Sequence, residues 1–194
     1  MSPLGQSDAK PSLKGATVAY AVKRLLVHRE TGKLTDDLLD SHLEPDDREI
    51  LENRVAPTLW YPLENYDRLV LLLRQIEGGA GDGWWIQYGE ESAGEILTYA
   101  PIQLMLKGAR RFGPRAGSVL VKMSQLYFNF TRWQFEGDSL ESFHVEVHEA
   151  EGMSEICRLI ILGFLRYLAR DFVGHDVEIV SSRPTGDLIL YHTP

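Results

Sequence analysis

Cysteine occurs once in these 194 residues, at Cys157. A single thiol excludes an intrachain disulfide framework and every metal centre built from several cysteines. Positive charge is also scarce: 20 lysines and arginines stand against 28 aspartates and glutamates, a formal charge of −8. That is the wrong sign for a general DNA or RNA binder. Long apolar runs are missing too. The most apolar stretch, ICRLIILGFLRYLARDF, is interrupted by Arg158, Arg166 and Arg170, so it does not span a bilayer unaided and no transmembrane segment is expected. No G-x-S-x-G frames a nucleophilic serine. GGAGDGWW places Trp84 where the last glycine of G-x-G-x-x-G would fall, and it follows a predicted helix instead of a strand. It reads as an interhelical loop, not a phosphate cradle. The opening MSPLGQSDAKPSLKG lacks the apolar centre of a signal peptide and reads as a flexible lead-in over residues 1–13. What these absences leave is a cytoplasmic chain with one domain over residues 14–194.

Apolar material is plentiful. With 44% hydrophobic and 10% aromatic residues, the chain can fill a sizeable core. Val18, Ala21, Val22, Leu25 and Leu26 fall at helical spacing within residues 14–30. TDDLLDSHL and EPDDREILENRV read as shorter helices, the second begun by Pro45 with Asp46 and Asp47 at its positive end. In WYPLENYDRLVLLLRQIEGG a helix starts near Pro62, ends before Gly78 and Gly79, and carries Leu63, Tyr66, Leu69, Val70 and Leu73 as its dry stripe. GWWIQYGEESAGEIL follows, then two short helices around Gly113 and Pro114. From about residue 127 the period changes. YFNFTRWQFEG is aromatic and β-prone, and a bulge near Thr131 and Arg132 would turn Phe128, Phe130, Trp133 and Phe135 to one side. SFHVEVHE alternates, with Phe143, Val145 and Val147 on one face. A long helix over 153–172 carries Ile156, Ile160, Phe164, Leu168 and Phe172 in an i, i+4 row, widened by Cys157, Ile161 and Leu165. HDVEIVSSRPTGDLILYHT reads as a hairpin turning through SSRPTGD. The class is therefore α+β, a helical half followed by β-β-α-β-β.

Each chemical candidate has a competing structural reading. Glu90, Glu91 and Glu95 fall on the side of their helix away from Trp85, Tyr88, Gly89, Ser92, Ala93 and Ile96, which makes them a solvated face and not an acid–base centre. The small residues Gly89, Ser92, Ala93 and Gly94 permit a close approach by a neighbouring element or ligand. His144, Glu146 and His148 share one strand face, the residue types of a divalent-metal site, but the two histidines stand about 13 Å apart at the strand rise of ~3.3 Å per residue. They read as a polar outer face, and no metal is assigned. Cys157 lies in a buried helix and reads as an inert small residue. Lys107, Arg110, Arg111, Arg115 and Lys122 form a basic segment suited to an anionic second messenger or acidic partner, or else to a solvated helical surface.

WYPLENYDRLVLLL, YGEESAGEIL and the terminal β-β-α-β-β with HDVEIVSSRPTGDLILYHT together resemble a myxobacterial paralogous family. More distantly they resemble the superfamily of heme nitric-oxide/oxygen-binding domains, four-vinyl-reductase domains and transport-protein-particle trafficking subunits. The resemblance covers roughly residues 14–194 as element order and hydrophobic pattern. It implies helices packed on an antiparallel four-stranded sheet, a cavity between the layers for heme, an acyl chain or a small aromatic ligand, and a homodimer. Heme-binding members need a proximal histidine before the sheet and a Tyr-x-Ser-x-Arg motif. This chain has no histidine between His42 and His144 and no Y-x-S-x-R, so no heme or other cofactor is expected. Metal binding through several cysteines is likewise not carried over. The expectation is a non-enzymatic ligand-sensing or protein-interaction domain. Its pocket would be walled by Trp85, Tyr88, Gly89 and Ser92 from the helix and by Phe130, Trp133 and Phe143 from the strands. The same residues serve equally in a solid core. The alternative is a regulator that binds an anion through Lys107, Arg110, Arg111 and Arg115.

Overall fold

A computed structural model describes residues 10–98, 102–104, 106–107 and 116–194. The helical half comprises α1 (Gly15–Glu30), α2 (Asp36–His42), α3 (Pro45–Glu52), α4 (Leu63–Ile76), α5 (Gly81–Ile96) and α6 (Ala116–Tyr127). The sheet half comprises β3 (Arg132–Gly137), β4 (Phe143–His148), α7 (Glu155–Val173), β5 (Val180–Thr185) and β6 (Leu188–His192). This is the expected α+β order of a helical half and then β-β-α-β-β. The four strands are antiparallel in the order β3-β4-β6-β5. Trp133, Phe135, Phe143, Val145, Val147, Ile189 and Tyr191 alternate onto the inner face, and pairs such as Val145 with Tyr191 and Val147 with Ile189 hold the register.

Two short strands open the fold. β1 (Ser12–Lys14) pairs with β2 (Trp60–Pro62), and Leu13 is buried in the core. Ser12 and Leu13 fall within the expected lead-in, because three-residue strands have no readable alternation. Leu13 also bridges to Phe128, and the Ser12 amide donates to Asn129 Oδ1 at 2.7 Å. This bridge corrects the expected bulged strand. Helix α6 runs on to Tyr127, so Phe128 and Phe130 precede β3 and meet the core from a connector. The last hairpin also differs. Its turn is at Gly186 and Asp187, while Ser181 to Thr185 stay in β5 with an irregular register between Ser182 and Thr185. Pro184 is tolerated there because β5 is an edge strand.

Polar groups close the element ends. Asp47 is fully buried, yet its carboxylate accepts the Glu44 amide at the head of α3, Asn65 Nδ2 at 2.6 Å and two Arg68 nitrogens from α4. A buried carboxylate with this many donors ties two helices together. Ser154 caps α7 by accepting the Cys157 amide, and Gly174 ends that helix in the left-handed region at φ 88°. The Gly78–Gly81 link between α4 and α5 is held by Arg74, whose guanidinium donates to the Gly79 carbonyl and lies over the Trp85 ring at 4.7 Å. It is an interhelical loop, as expected.

Helix α7 packs on α5 on one side and on the inner face of the sheet on the other. The contact with α5 is nearly backbone to backbone. A methyl group on Gly89 would lie 2.0 Å from the Ile160 carbonyl oxygen, and one on Gly163 would lie 1.9 Å from that of Ile86. Gly89→Ala and Gly163→Ala are each expected to cost about 3 kcal/mol, the upper range for overpacking. Gly94→Ala meets only the Tyr167 side chain at 3.5 Å or more. As a helix-interior glycine replacement it is expected to gain about 0.5 kcal/mol. Urea denaturation of the three variants checks both directions.

Candidate functional site

Between α1, α4, α5, α6, α7 and the start of β3 lies a cavity of about 70 Å³. The α4 stripe brings Tyr66 to it, α5 brings Ser92 and Ile96, and α6 brings Leu120, Met123 and Ser124. Helix α7 contributes Cys157, Ile160, Ile161, Phe164 and Leu165, and Leu13 and Trp133 close the strand side. Half-buried Thr17, Tyr127 and Phe164 stand toward the surface. The lining is overwhelmingly apolar because each helix turns its dry stripe inward. Its serines are tied to their own helices: Ser92 Oγ donates to the Gly89 carbonyl at 2.9 Å and Ser124 Oγ to that of Val121 at 2.7 Å. Tyr66 and Tyr88 are both 1% exposed, and neither hydroxyl has a partner within hydrogen-bonding geometry. Burial is the main cause that pushes both phenols above their ordinary pKa, and each hydroxyl acts on the other. Burial, reinforced by the charge of Asp67, also pushes the Cys157 thiol well up. The cavity wall is therefore uncharged.

Of the residues expected to wall a pocket, Ser92 and Trp133 do line this cavity. Trp133 is stacked between Phe128 and Tyr191, with centroids at 5.7 and 6.3 Å. Trp85 and Tyr88 point elsewhere. Tyr88 is stacked on Trp84 at 5.4 Å and leans on Tyr20, with the Arg24 guanidinium 5.5 Å from its ring. Trp85 meets Trp84 edge-on. Gly89 faces the α7 backbone, Phe143 stacks on Phe135 at 5.7 Å, and Phe130 packs edge-on against Phe128. None of these five lines the cavity. The residues missed are Tyr66, Met123 and the α7 row Ile160, Ile161, Phe164 and Leu165. Their signal is present as helical stripes, but a stripe does not say whether it meets a neighbour or a void.

The other candidates resolve into surface chemistry. Glu91 pairs with Arg24 at 2.5 Å, Glu95 with Lys23 at 2.7 Å and Glu90 with Arg170 at 3.3 Å. The three glutamates thus fasten α5 to α1 and α7. Glu146 sits between His144 and His148, at 3.3 and 2.9 Å, on the sheet face away from the core. Among the described residues no group of three or more such side chains is placed to hold a metal ion. Likewise, no helix among them is long and apolar enough to cross a membrane. Lys107 and Lys122 are both exposed. Arg110, Arg111 and Arg115 lie outside the described residues.

No family model matches the chain, and no curated protein matches it. Solved structures do. The Fe(II) unliganded H-NOX (heme nitric oxide/oxygen-binding) protein from K. algicida is similar at 14% identity and a TM-score of 0.61, over 92% of this chain and 94% of that one. A single-site mutant of T. tengcongensis H-NOX is similar at 15% identity and a TM-score of 0.57, over 93% and 97%. An oxygen-binding H-NOX domain related to soluble guanylate cyclases, solved as its oxygen complex, is similar at 15% and 0.55, over 93% and 94%. At these identities the likeness is one of fold.

That fold raises heme, and the described lining does not fit it. A heme needs an axial ligand such as histidine, a thiolate, a phenolate or methionine. No histidine lines the cavity, and burial keeps Cys157 and Tyr66 protonated, which leaves the Met123 thioether. No lysine or arginine stands among the described lining residues to receive propionates. The cavity, about 70 Å³, is also smaller than the ~150 Å³ apolar void that admits a single benzene.

Beside the cavity, Asp67 of α4 accepts a hydrogen bond from Ser154 Oγ at 3.0 Å. Burial raises its pKa from 3.8 to about 6, against the opposing effects of that bond and of Arg68. With the folded pKa above the unfolded one, the folded state binds more protons, so stability from this group is fully present below pH 4 and falls as pH rises toward 6. Asn at this position keeps an acceptor for Ser154 and carries no charge. Asp67→Asn is therefore expected to match the wild type at pH 4 and exceed it in stability at pH 7. Denaturant titrations at both pH values measure that difference.

Proposed function

We propose that this domain is a non-enzymatic sensor of a small apolar molecule, held between the helical layer and the sheet without heme. The observation that carries this reading is the apolar cavity at the junction of five helices and β3, with its uncharged wall. Pockets with apolar walls and few polar groups are the usual form of small-molecule sites. The absence of histidine, lysine and arginine from the described lining, together with the small volume, favours an organic ligand over a porphyrin. A catalytic role would call for an activated nucleophile or a charged acid–base pair at the cavity. Cys157 and Tyr66 are instead held neutral by burial. A homodimer, implied by the sequence resemblance, is proposed alongside and is read in the same measurement.

Native mass spectrometry and an absorption spectrum of the purified protein test the reading together. The expected result is a folded protein with no Soret band and an added mass in the small-organic range that leaves on gentle activation. A Soret band at one heme per chain would overturn it.

A further inference from the structure

The outer face of the sheet gathers polar residues that are far apart in the sequence. His144 of β4 stands directly opposite His192 of β6, and Glu136 of β3 stands opposite His144 on its other side. The Thr193 amide donates to the Phe143 carbonyl at 3.2 Å, which makes Phe143 and Thr193 a hydrogen-bonded pair. Such pairs alternate along an antiparallel ladder. His144 and His192 are therefore a non-hydrogen-bonded pair, the kind whose side chains lie closer together. Their ring centroids are 6.1 Å apart, with 31° between the planes, and both residues are half-buried. Two imidazoles on one metal ion, each ~2.0–2.1 Å from it at the nitrogen, hold their centroids roughly 5–6.5 Å apart. The observed spacing falls in that range.

The surroundings prepare the pair for a cation. His192 Nδ1 lies 3.1 Å from the Thr193 carbonyl oxygen, which can only accept, so Nδ1 carries the proton and Nε2 keeps its lone pair. A backbone carbonyl behind one ring nitrogen is the usual support of a metal-binding histidine. Glu146 Oε1 lies 3.3 Å from His144 Nε2, so a carboxylate stands beside the other ring. Glu136 adds a second acidic neighbour in register, while Arg132 sits opposite His148 and pairs with Glu149 at 3.5 Å. Imidazole nitrogen suits zinc and copper(II), whereas magnesium and calcium take oxygen ligands. We propose that His144 and His192 form a surface site for a transition-metal dication of the zinc or copper(II) class, with Glu146 supplying negative charge beside it and water completing the coordination. The site differs from the trio on one strand, in which His144 and His148 flank Glu146 from either side. It lies on the opposite face of the sheet from the apolar cavity and does not depend on the ligand reading.

Zinc alone is the probe, titrated into the untagged full chain at neutral pH with magnesium as the control, and followed by calorimetry and by NMR of the histidine rings. The wild type is expected to bind one zinc ion per chain far more tightly than magnesium, with the ring shifts centred on His144 and His192. His144→Ala and His192→Ala are each expected to weaken zinc at least about tenfold, no less than the loss of a supporting residue at a metal site. His148→Ala is expected to keep the wild-type affinity. Zinc held no tighter than magnesium overturns the proposal, and so does zinc binding that survives both substitutions. An equal loss on His148→Ala assigns the ion to the single-strand trio and overturns the cross-strand pair. All three positions lie on the sheet face away from the core, and circular dichroism checks that the variants fold. The ring shifts of the wild type decide between the pair and the trio without any variant.

Discussion

The contact between Gly89 and Ile160, mirrored by that between Gly163 and Ile86, sets the spacing on which the rest of the molecule depends. Two helices can approach this closely only where neither carries a side chain at the crossing. Because α7 is fixed to α5, and α7 also covers the inner face of the sheet, the helical layer and the sheet are held at one separation. Tyr191 adds a polar tie from the sheet side, its hydroxyl donating to the Arg158 carbonyl of α7 at 3.0 Å. The cavity occupies what remains where Ser92 and Ile96 on α5 diverge from Cys157, Ile161 and Leu165 on α7. Its size is thus a product of helix spacing as much as of side-chain choice.

A second set of constraints lies on the far side of α5. Arg24 of α1 donates both to Glu77, at the end of α4, and to Glu91 of α5, and His28 lies 2.9 Å from the same Glu77 carboxylate. Glu77 is largely withdrawn from water and Arg24 is partly so, which makes this network more consequential than isolated surface pairs. Tyr20, Trp84 and Tyr88 pack beneath it as an aromatic layer. The large aromatics of α5 are consumed there. This is why the most conspicuous residues of GWWIQYGEESAGEIL, the two tryptophans and Tyr88, face away from the cavity, and why the inconspicuous Ser92 reaches it.

The element order is legible because it rests on periodicity: the stripes of α4 and α7 and the alternation of β4 are each long enough to declare a period. The close approach of Gly89 is legible as well, since a run of small residues on a helix has few other uses. Pairing at a distance is not. Nothing local in Ser12–Lys14 shows that it will find Trp60–Pro62 or touch Phe128. Without that contact Phe128 reads as strand, whereas α6 in fact runs to its doorstep. The cavity is half legible for the same reason. Trp133 and Ser92 can be identified from their own segments, whereas Tyr66 and Met123 become wall residues only once several elements have met. The wet face of α5 follows from position, and its ion pairs with α1 and α7 depend on partners far along the chain.

The same non-locality has a kinetic consequence. The cavity wall draws on Leu13 at one extreme and Leu165 at the other, and Trp133 is backed by Tyr191 of β6, a strand that enters between β4 and β5. Contacts so far apart along the chain carry a large loop-closure cost and slow folding. The void is closed only when residues from both ends of the chain have met. A molecule seated in it stabilises only the native state, in which the wall is assembled; if the wall is absent from the folding transition state, that stabilisation slows unfolding and leaves the folding rate untouched. Occupancy would be recorded as the lifetime of the folded chain.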